Sequence, residues 1–199
     1  DEAHILEQLT LIVRSQDPDI ITGYYIDNFD LPRLRDRTEE LSKKGGWRRK
    51  AALFGWGRVE QSETEYKRGR TGLLPKRQSN RAWNVAGRSV VDARWQTRMT
   101  IRPQRETLSY VAKLLFPDDS ERHKMDVDAS KMDDEWAARP DVVMEYCIRD
   151  AELPLDILEE LQAIRRKEAT AAVAKVSFDT AANGSSSQLV DSLIIRLAD

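Results

Sequence analysis

The chain has 199 residues, of which 40% are apolar and 33% charged, enough for one packed domain with a heavily solvated surface and too structured in composition for disorder. No apolar run approaches the roughly 18 residues of a membrane span, no signal peptide opens the chain, and a single cysteine, Cys147, excludes an internal disulfide scaffold and suits a reducing, cytoplasmic setting. Two histidines, His4 and His123, leave too little imidazole for a histidine-based zinc site. The net charge of −2 hides an uneven distribution: residues 1–32 carry net −6, residues 33–105 net +13 and residues 106–199 net −9. A polyanion would suit the basic middle, and a divalent metal the flanking carboxylates.

The chain opens on a predicted amphipathic helix, with Ile5, Leu6, Leu9, Ile12 and Val13 on one stripe at the 3.6 period. Asp17-Pro18-Asp19 stops it. Ile20 through Tyr25, rich in β-branched and aromatic residues, is expected as a short buried strand. A helix through about Leu41 follows, with Pro32 in its first turn. Residues 43–83 are punctuated by Gly45-Gly46, Gly55, Gly57, Gly69 and Gly72 and are predicted to form hairpins and loops.

Strand character returns over Gly87–Trp95, and Leu108, Val111, Ala112 and Leu115 mark another helix ended by Pro117. A long helical zone runs from about Asp141 into the 160s, with an expected break at Pro154, and Ala-rich Glu168–Ala174 continues helical. Asn183–Ser187 reads as a turn and Gln188–Ala198 as a last helix. Helix, strand, helix layering gives the α/β class.

Two constellations could carry chemistry. Asn28-Phe29-Asp30 lies just past the first strand, where ligands bind in open α/β sheets; alternatively Asp30 caps the next helix. Tyr146 and Asp150 share a helix face at i and i+4, and a phenol beside a carboxylate can orient a water at a metal-bound phosphate; the alternative is a plain surface hydrogen bond. The basic middle interleaves aromatics with cations in Trp47-Arg48-Arg49-Lys50, Trp56-Gly57-Arg58 and Lys67-Arg68-Gly69-Arg70, a pattern suited to phosphates and unpaired bases or to a solvated loop whose tryptophans cover the sheet. Asp126, Asp128 and Ser130 are spaced like a calcium loop, but Lys131 stands at the turn glycine and Ala137 at the bidentate glutamate. Asn183-Gly184-Ser185 lacks the ending of a P-loop. Cys147, without a nearby histidine in sequence, is expected as a buried thiol.

In order along the chain, Asp17 through Tyr24 with Asp27-Asn28-Phe29-Asp30-Leu31-Pro32, Gly87 through Asp92, Glu106-Thr107-Leu108 through Ala112, Glu145 through Leu153 and Leu189 through Leu193 resemble the exonuclease region of archaeal, methanogen-like family B DNA polymerases. The first of these is similar to that family's second exonuclease motif, and Tyr146-x-x-x-Asp150 to its third. The resemblance implies a 3′–5′ proofreading exonuclease with a ribonuclease-H-like α/β fold, its early strands missing, over residues 1–165, with residues 43–83 as a basic hairpin or loop region. Residues 166–199 would begin the polymerase domain.

It also implies two-metal hydrolysis with Mg²⁺ or Mn²⁺. Asp30 and Asp150 would be metal ligands, Tyr146 would position the attacking water, and Asn28 and Phe29 would shape the pocket for a single-stranded 3′ primer end. Two departures stand out: the family's first motif, Asp-x-Glu, does not precede the opening helix, and Tyr25 occupies a position where the family usually has asparagine. The isolated chain is therefore expected to be inactive. The alternatives are a catalytically degenerate module that binds single-stranded DNA or braces a partner, and a stand-alone nuclease. An open sheet edge would invite pairing with a second copy of the chain.

Overall fold

In the computed structural model the described residues are 1–79, 82–122 and 127–198, so the expectations placed on His123 and Asp126 lie outside them. Helix α1 (Glu2–Gln16) starts where Asp1 accepts the His4 amide and ends at Asp17, which takes a left-handed conformation with φ of 46°. Its inward face is narrower than the expected stripe. Leu6 and Thr10 are buried and Leu9 and Val13 pack against the core, while Ile5 and Ile12 stand exposed.

Strand β1 (Ile20–Gly23) is shorter than the predicted 20–25 segment and only half-buried. It ends at Gly23 because Tyr25 turns to φ of 70° and gives its amide to a carboxylate instead of a ladder partner. Helix α2 (Asp30–Leu41) buries Leu31 and Thr38.

The segment expected as hairpins and loops contains two helices, α3 (Gly46–Phe54) and α4 (Glu63–Lys67), the latter with a reciprocal Ser62–Glu65 capping box. Gly46, at φ of 58°, opens α3 and Gly55 closes it. The glycines thus bracket a helix in the stretch that reads as separate strands. The hairpin itself is confined to β2 (Lys76–Ser79) and β3 (Ala82–Asn84).

Strand β4 (Ser89–Asp92) pairs in parallel with β1, Ile20 opposite Ser89 through Gly23 opposite Asp92. The predicted strand over Gly87–Trp95 stops at Asp92, whose carboxylate caps helix α5 (Ala93–Ile101). There follow α6 (Leu108–Leu115), α7 (Met132–Ala138) and α8 (Pro140–Glu160). The chain closes with α9 (Ala163–Ala174), α10 (Phe178–Asn183) and α11 (Ser186–Ala198). Helix α8 runs unbroken through Pro154, since Leu153, Pro154, Ile157 and Leu158 are all buried and that packing outweighs the missing backbone donor.

Successive strand residues face opposite layers. Val90 and Ile21 join Ile26, Leu31, Phe54, Trp56, Leu74 and Trp83 beneath α1–α3. Val91 and Ile20 join Val111, Phe116, Ile157 and Leu158 beneath α6 and α8. The result is an α/β/α sandwich. Residue 165 falls inside α9, and packing continues past it: Ala182 is in the second core and Asn183 donates to the Val90 carbonyl at 2.9 Å. Among the described residues β1 pairs only with β4.

At the amino end of the strand pair Arg88, its side chain 2% exposed, ion-pairs with Asp17 at 2.9 Å. It also donates to the carbonyls of Trp56 at 2.8 Å and Pro18 at 2.5 Å. Removing it strands two carbonyl oxygens and empties a side-chain volume. Arg88→Met should therefore destabilise the chain by about 3 kcal/mol, read as a lower urea midpoint with unchanged slope.

Candidate active site

The carboxyl ends of β1 and β4 lie side by side, and the loops leaving them carry the acids. After β1 the chain turns sharply: the amides of Asn28 and Phe29 both donate to the Tyr25 carbonyl, at 3.2 and 3.0 Å, and the Leu31 amide donates to the Ile26 carbonyl at 3.0 Å. This turn delivers Asp30 as the first residue of α2. The helix cap is Phe29, with no side-chain cap bond, so Asp30 is not the capping residue that the local pattern allowed. Its carboxyl stands at the surface, raised above the ordinary aspartate range by partial desolvation and by the charge of Asp92. Beside it Phe29 is 66% exposed and Asn28 accepts from Arg77 of the hairpin at 2.8 Å.

Below the turn lie two acids that the motif reading did not single out as site residues. Asp92, 2% exposed, accepts from the amides of Tyr25 at 3.1 Å, Asp27 at 3.2 Å, Arg94 at 2.9 Å and Trp95 at 3.3 Å. Asp27, 3% exposed, has its carbonyl held by the Trp83 indole at 2.9 Å, while its Oδ1 is buried without a hydrogen-bond partner. The signal for Asp92 was its place at the end of an apolar strand. For Asp27 the sequence offers none.

Tyr25, Asp27, Asn28, Asp92, Arg94 and Trp95 line a cavity of about 270 Å³. Tyr25 holds φ of 70°, a region that costs a tyrosine about 1–2 kcal/mol and that asparagine visits more readily. Its ring lies 4.3 Å from the Arg94 guanidinium, which is paired with Glu106 at 3.1 Å.

Tyr146 and Asp150 sit on the inner side of α8. Tyr146 is buried with Val127 and Val143, and Asp150 follows one turn later and is half-buried. Cys147 is exposed, contrary to the buried thiol expected, because it lies off the Val143–Tyr146 face. Asp128 spends its carboxylate on the Ser130 amide and hydroxyl. Among the described residues no three His, Cys, Asp or Glu side chains gather as a cation site. Asp30 and Asp150, on separate elements, do not by themselves fit a divalent ion.

The basic cluster divides. Trp56 is buried, its indole donating to Thr10 at 3.1 Å, so it has no open face for a base, which corrects that part of the stacking reading. Trp47 packs on Tyr66 at 5.1 Å. Arg49 pairs with Glu7 and Lys50 with Glu39. Arg58 bridges Asp17 and Asp19 at 2.7 and 2.8 Å. Lys67 pairs with Glu63 at 2.7 Å and Arg70 with Glu65 at 3.5 Å. Arg48 and Arg68 are exposed.

A layered α/β domain with acids presented beyond the carboxyl ends of parallel strands is the class that fold and site define. The family model for the DNA polymerase family B exonuclease domain matches residues 1–111, more than half of the chain, and the chain belongs to that family. Relatives include DNA polymerase delta catalytic subunits of Caenorhabditis elegans (29% identical over 170 residues), Drosophila melanogaster (30% over 170) and Bos taurus (30% over 165). In each, 82% of this chain aligns with 14% of the relative, so the chain spans about a seventh of their length. The solved structure of the family B DNA polymerase from the hyperthermophilic archaeon Pyrobaculum calidifontis superposes with a TM-score of 0.71 at 21% identity, over 98% of this chain and 23% of that one. This supports the ribonuclease-H-like fold. The relatives are eukaryotic and the structure archaeal, so the methanogen-like leaning of the motifs narrows no further than the family.

Burial, and next the Asp92 charge, push the Asp27 carboxyl up to about 7, with Arg77 opposing and Asp179 adding. A folded-state value above the unfolded one favours folding fully below about pH 4, and that contribution disappears as pH rises through 7. Asp27→Asn should therefore gain stability on the order of 3 kcal/mol at pH 8, little at pH 4, and flatten the melting-temperature profile between the two.

Proposed function

We propose that this chain is part of a proofreading 3′–5′ exonuclease domain, which removes mismatched 3′-terminal nucleotides by phosphodiester hydrolysis within a family B DNA polymerase during replication. The observation that carries the reading is Asp30, uncapped at the start of α2 beyond the carboxyl end of β1, in the motif context of the matched family. Asp30 and Asp150 are the two carboxylates of this chain that would ligate Mg²⁺ or Mn²⁺, each a hard oxygen donor, once further carboxylates complete the set. Tyr146 orients water beside Asp150. Asn28 and exposed Phe29 shape the seat of the 3′ end. Of the basic stretch, exposed Arg48 and Arg68 are the cations that would meet an approaching single strand of DNA, while Trp47 packs on Tyr66 and Arg49, Lys50, Arg58, Lys67 and Arg70 are held in ion pairs. Residues past α9 lead toward the polymerase domain.

A second reading, a degenerate module that holds single-stranded DNA or braces a partner without cutting it, is favoured by Tyr25 in its left-handed conformation and by the absence of a three-acid cluster among the described residues. The two separate in the full-length gene product on a primer with a mismatched 3′ end. Proofreading requires that Asp30→Ala lower 3′ hydrolysis by at least about a hundredfold while extension of a matched primer is unchanged. A wild-type polymerase that extends but leaves the mismatch in place supports the degenerate module instead. The 199-residue chain alone should show no hydrolysis with added Mn²⁺.

A further inference from the structure

Asp92 faces two segments at once. Its Oδ1 takes the Arg94 and Trp95 amides, capping α5, and also the Tyr25 amide; its Oδ2 takes the Asp27 amide. The two contacts to the turn fall at informative places. The peptide joining Ile26 to Asp27 gives its N–H to Asp92 and its carbonyl to the Leu31 amide. Tyr25 gives its N–H to Asp92 and its carbonyl to the amides of Asn28 and Phe29. The three backbone bonds that close the turn before Asp30, from the amides of Asn28, Phe29 and Leu31, thus end on a residue or peptide anchored to this one carboxylate. At 2% exposure water does not compete for these bonds. The hairpin supports the same turn from its other side through Trp83 and Arg77.

We infer that Asp92 is a positioning residue for the exonuclease reaction, fixing the Asn28–Asp30 turn through the amides of Tyr25 and Asp27 and so setting where the Asp30 carboxylate stands. This rests on the proofreading reading above. It differs from a purely structural helix cap because half of the bonds to Asp92 leave α5.

The geometry supplies the test. In Asp92→Asn the side-chain oxygen in the Oδ1 place keeps the α5 cap and the Tyr25 bond, while its amide group confronts the Asp27 N–H, donor against donor. In Asp92→Ser the hydroxyl still caps α5 but is too short for the turn. On the 199-residue chain, hydrogen exchange of the Asp27 and Leu31 amides should quicken at least about tenfold in both variants, with the first-turn amides of α5 unaffected.

In the full-length polymerase both variants should lose about a hundredfold in kcat for 3′ hydrolysis, with KM for the primer end and the rate of matched extension unchanged. Asp92→Glu, which keeps the charge, should restore part of it. Wild-type hydrolysis with undiminished kcat in Asp92→Asn and Asp92→Ser overturns the positioning role and leaves the proofreading reading intact. So does faster exchange spread over the whole chain, or an unfolded Asp92→Ser beside a fully active Asp92→Asn. A wild-type polymerase without 3′ hydrolysis removes the proofreading reading and this role with it, and it is recognised before any variant is made.

Discussion

The parallel pairing of β1 with β4 is the constraint on which the other layers depend. Four residues on each side, separated by some seventy in sequence, form a short ladder, and closing so long a loop costs entropy before any contact returns it. The ladder is secured at its ends by opposite charges. At the amino end Arg88 reaches carbonyl oxygens on either side of the pair; at the carboxyl end Asp92 collects amides from the loops leaving both strands. A cation satisfies acceptors and an anion satisfies donors, so each unpaired strand end is matched with the side chain chemistry it lacks. Val90 and Val91 then commit the two faces to separate cores.

The same closure explains why the site end is under electrostatic load. Asp27, Asp30 and Asp92 all stand above their ordinary carboxyl range, with desolvation the first cause in each. Tyr25 occupies a backbone region that its side chain disfavours. Costs of this kind cluster where geometry serves a reaction rather than stability. They are borne here by a turn whose three closing backbone bonds end on peptides held by Asp92, so that Asp30 at the surface and Asp92 in the interior belong to one hydrogen-bonded unit.

Much of this was legible in the residues, for identifiable reasons. Asp17-Pro18 stops a helix by local sterics, and β1, Asp30 and the Tyr146–Asp150 pair follow from periodicity and motif spacing. What escaped depends on tertiary neighbours. Gly46 and Gly55 delimit α3, yet the same letters fit turns between strands. The end of β4 at Asp92 is a capping event that strand propensity in the following Trp95 conceals. Ile5 and Ile12 have the right period yet stand exposed, since periodicity does not say how wide a face the rest of the fold covers. Pro154 is tolerated because its neighbours are buried, which no local rule reports. Asp27 is invisible as a buried acid because only the fold closes Trp83 over its backbone.

The segmental charge pattern has a meaning different from the one a linear reading gives. An acidic start and a strongly basic middle suggest a polyanion partner, yet in the folded chain four acids of the start are taken up by four cations of the middle. Glu2 meets Arg37, Glu7 meets Arg49, Asp17 meets both Arg58 and Arg88, and Asp19 meets Arg58. Those pairs run between α1 or its C-terminal turn and the elements packed beneath it. Surface ion pairs add little stability individually, but Glu7–Arg49 ties α1 to α3 and Glu2–Arg37 ties it to α2, and each pair weakens the field that a phosphate backbone would feel from its cation. What remains exposed of the basic stretch is smaller than its net charge of +13 implies. Any attraction for a DNA strand must therefore come from the cations outside these pairs, Arg48 and Arg68 among them, and from the shape of the turn that carries Phe29 and Asp30.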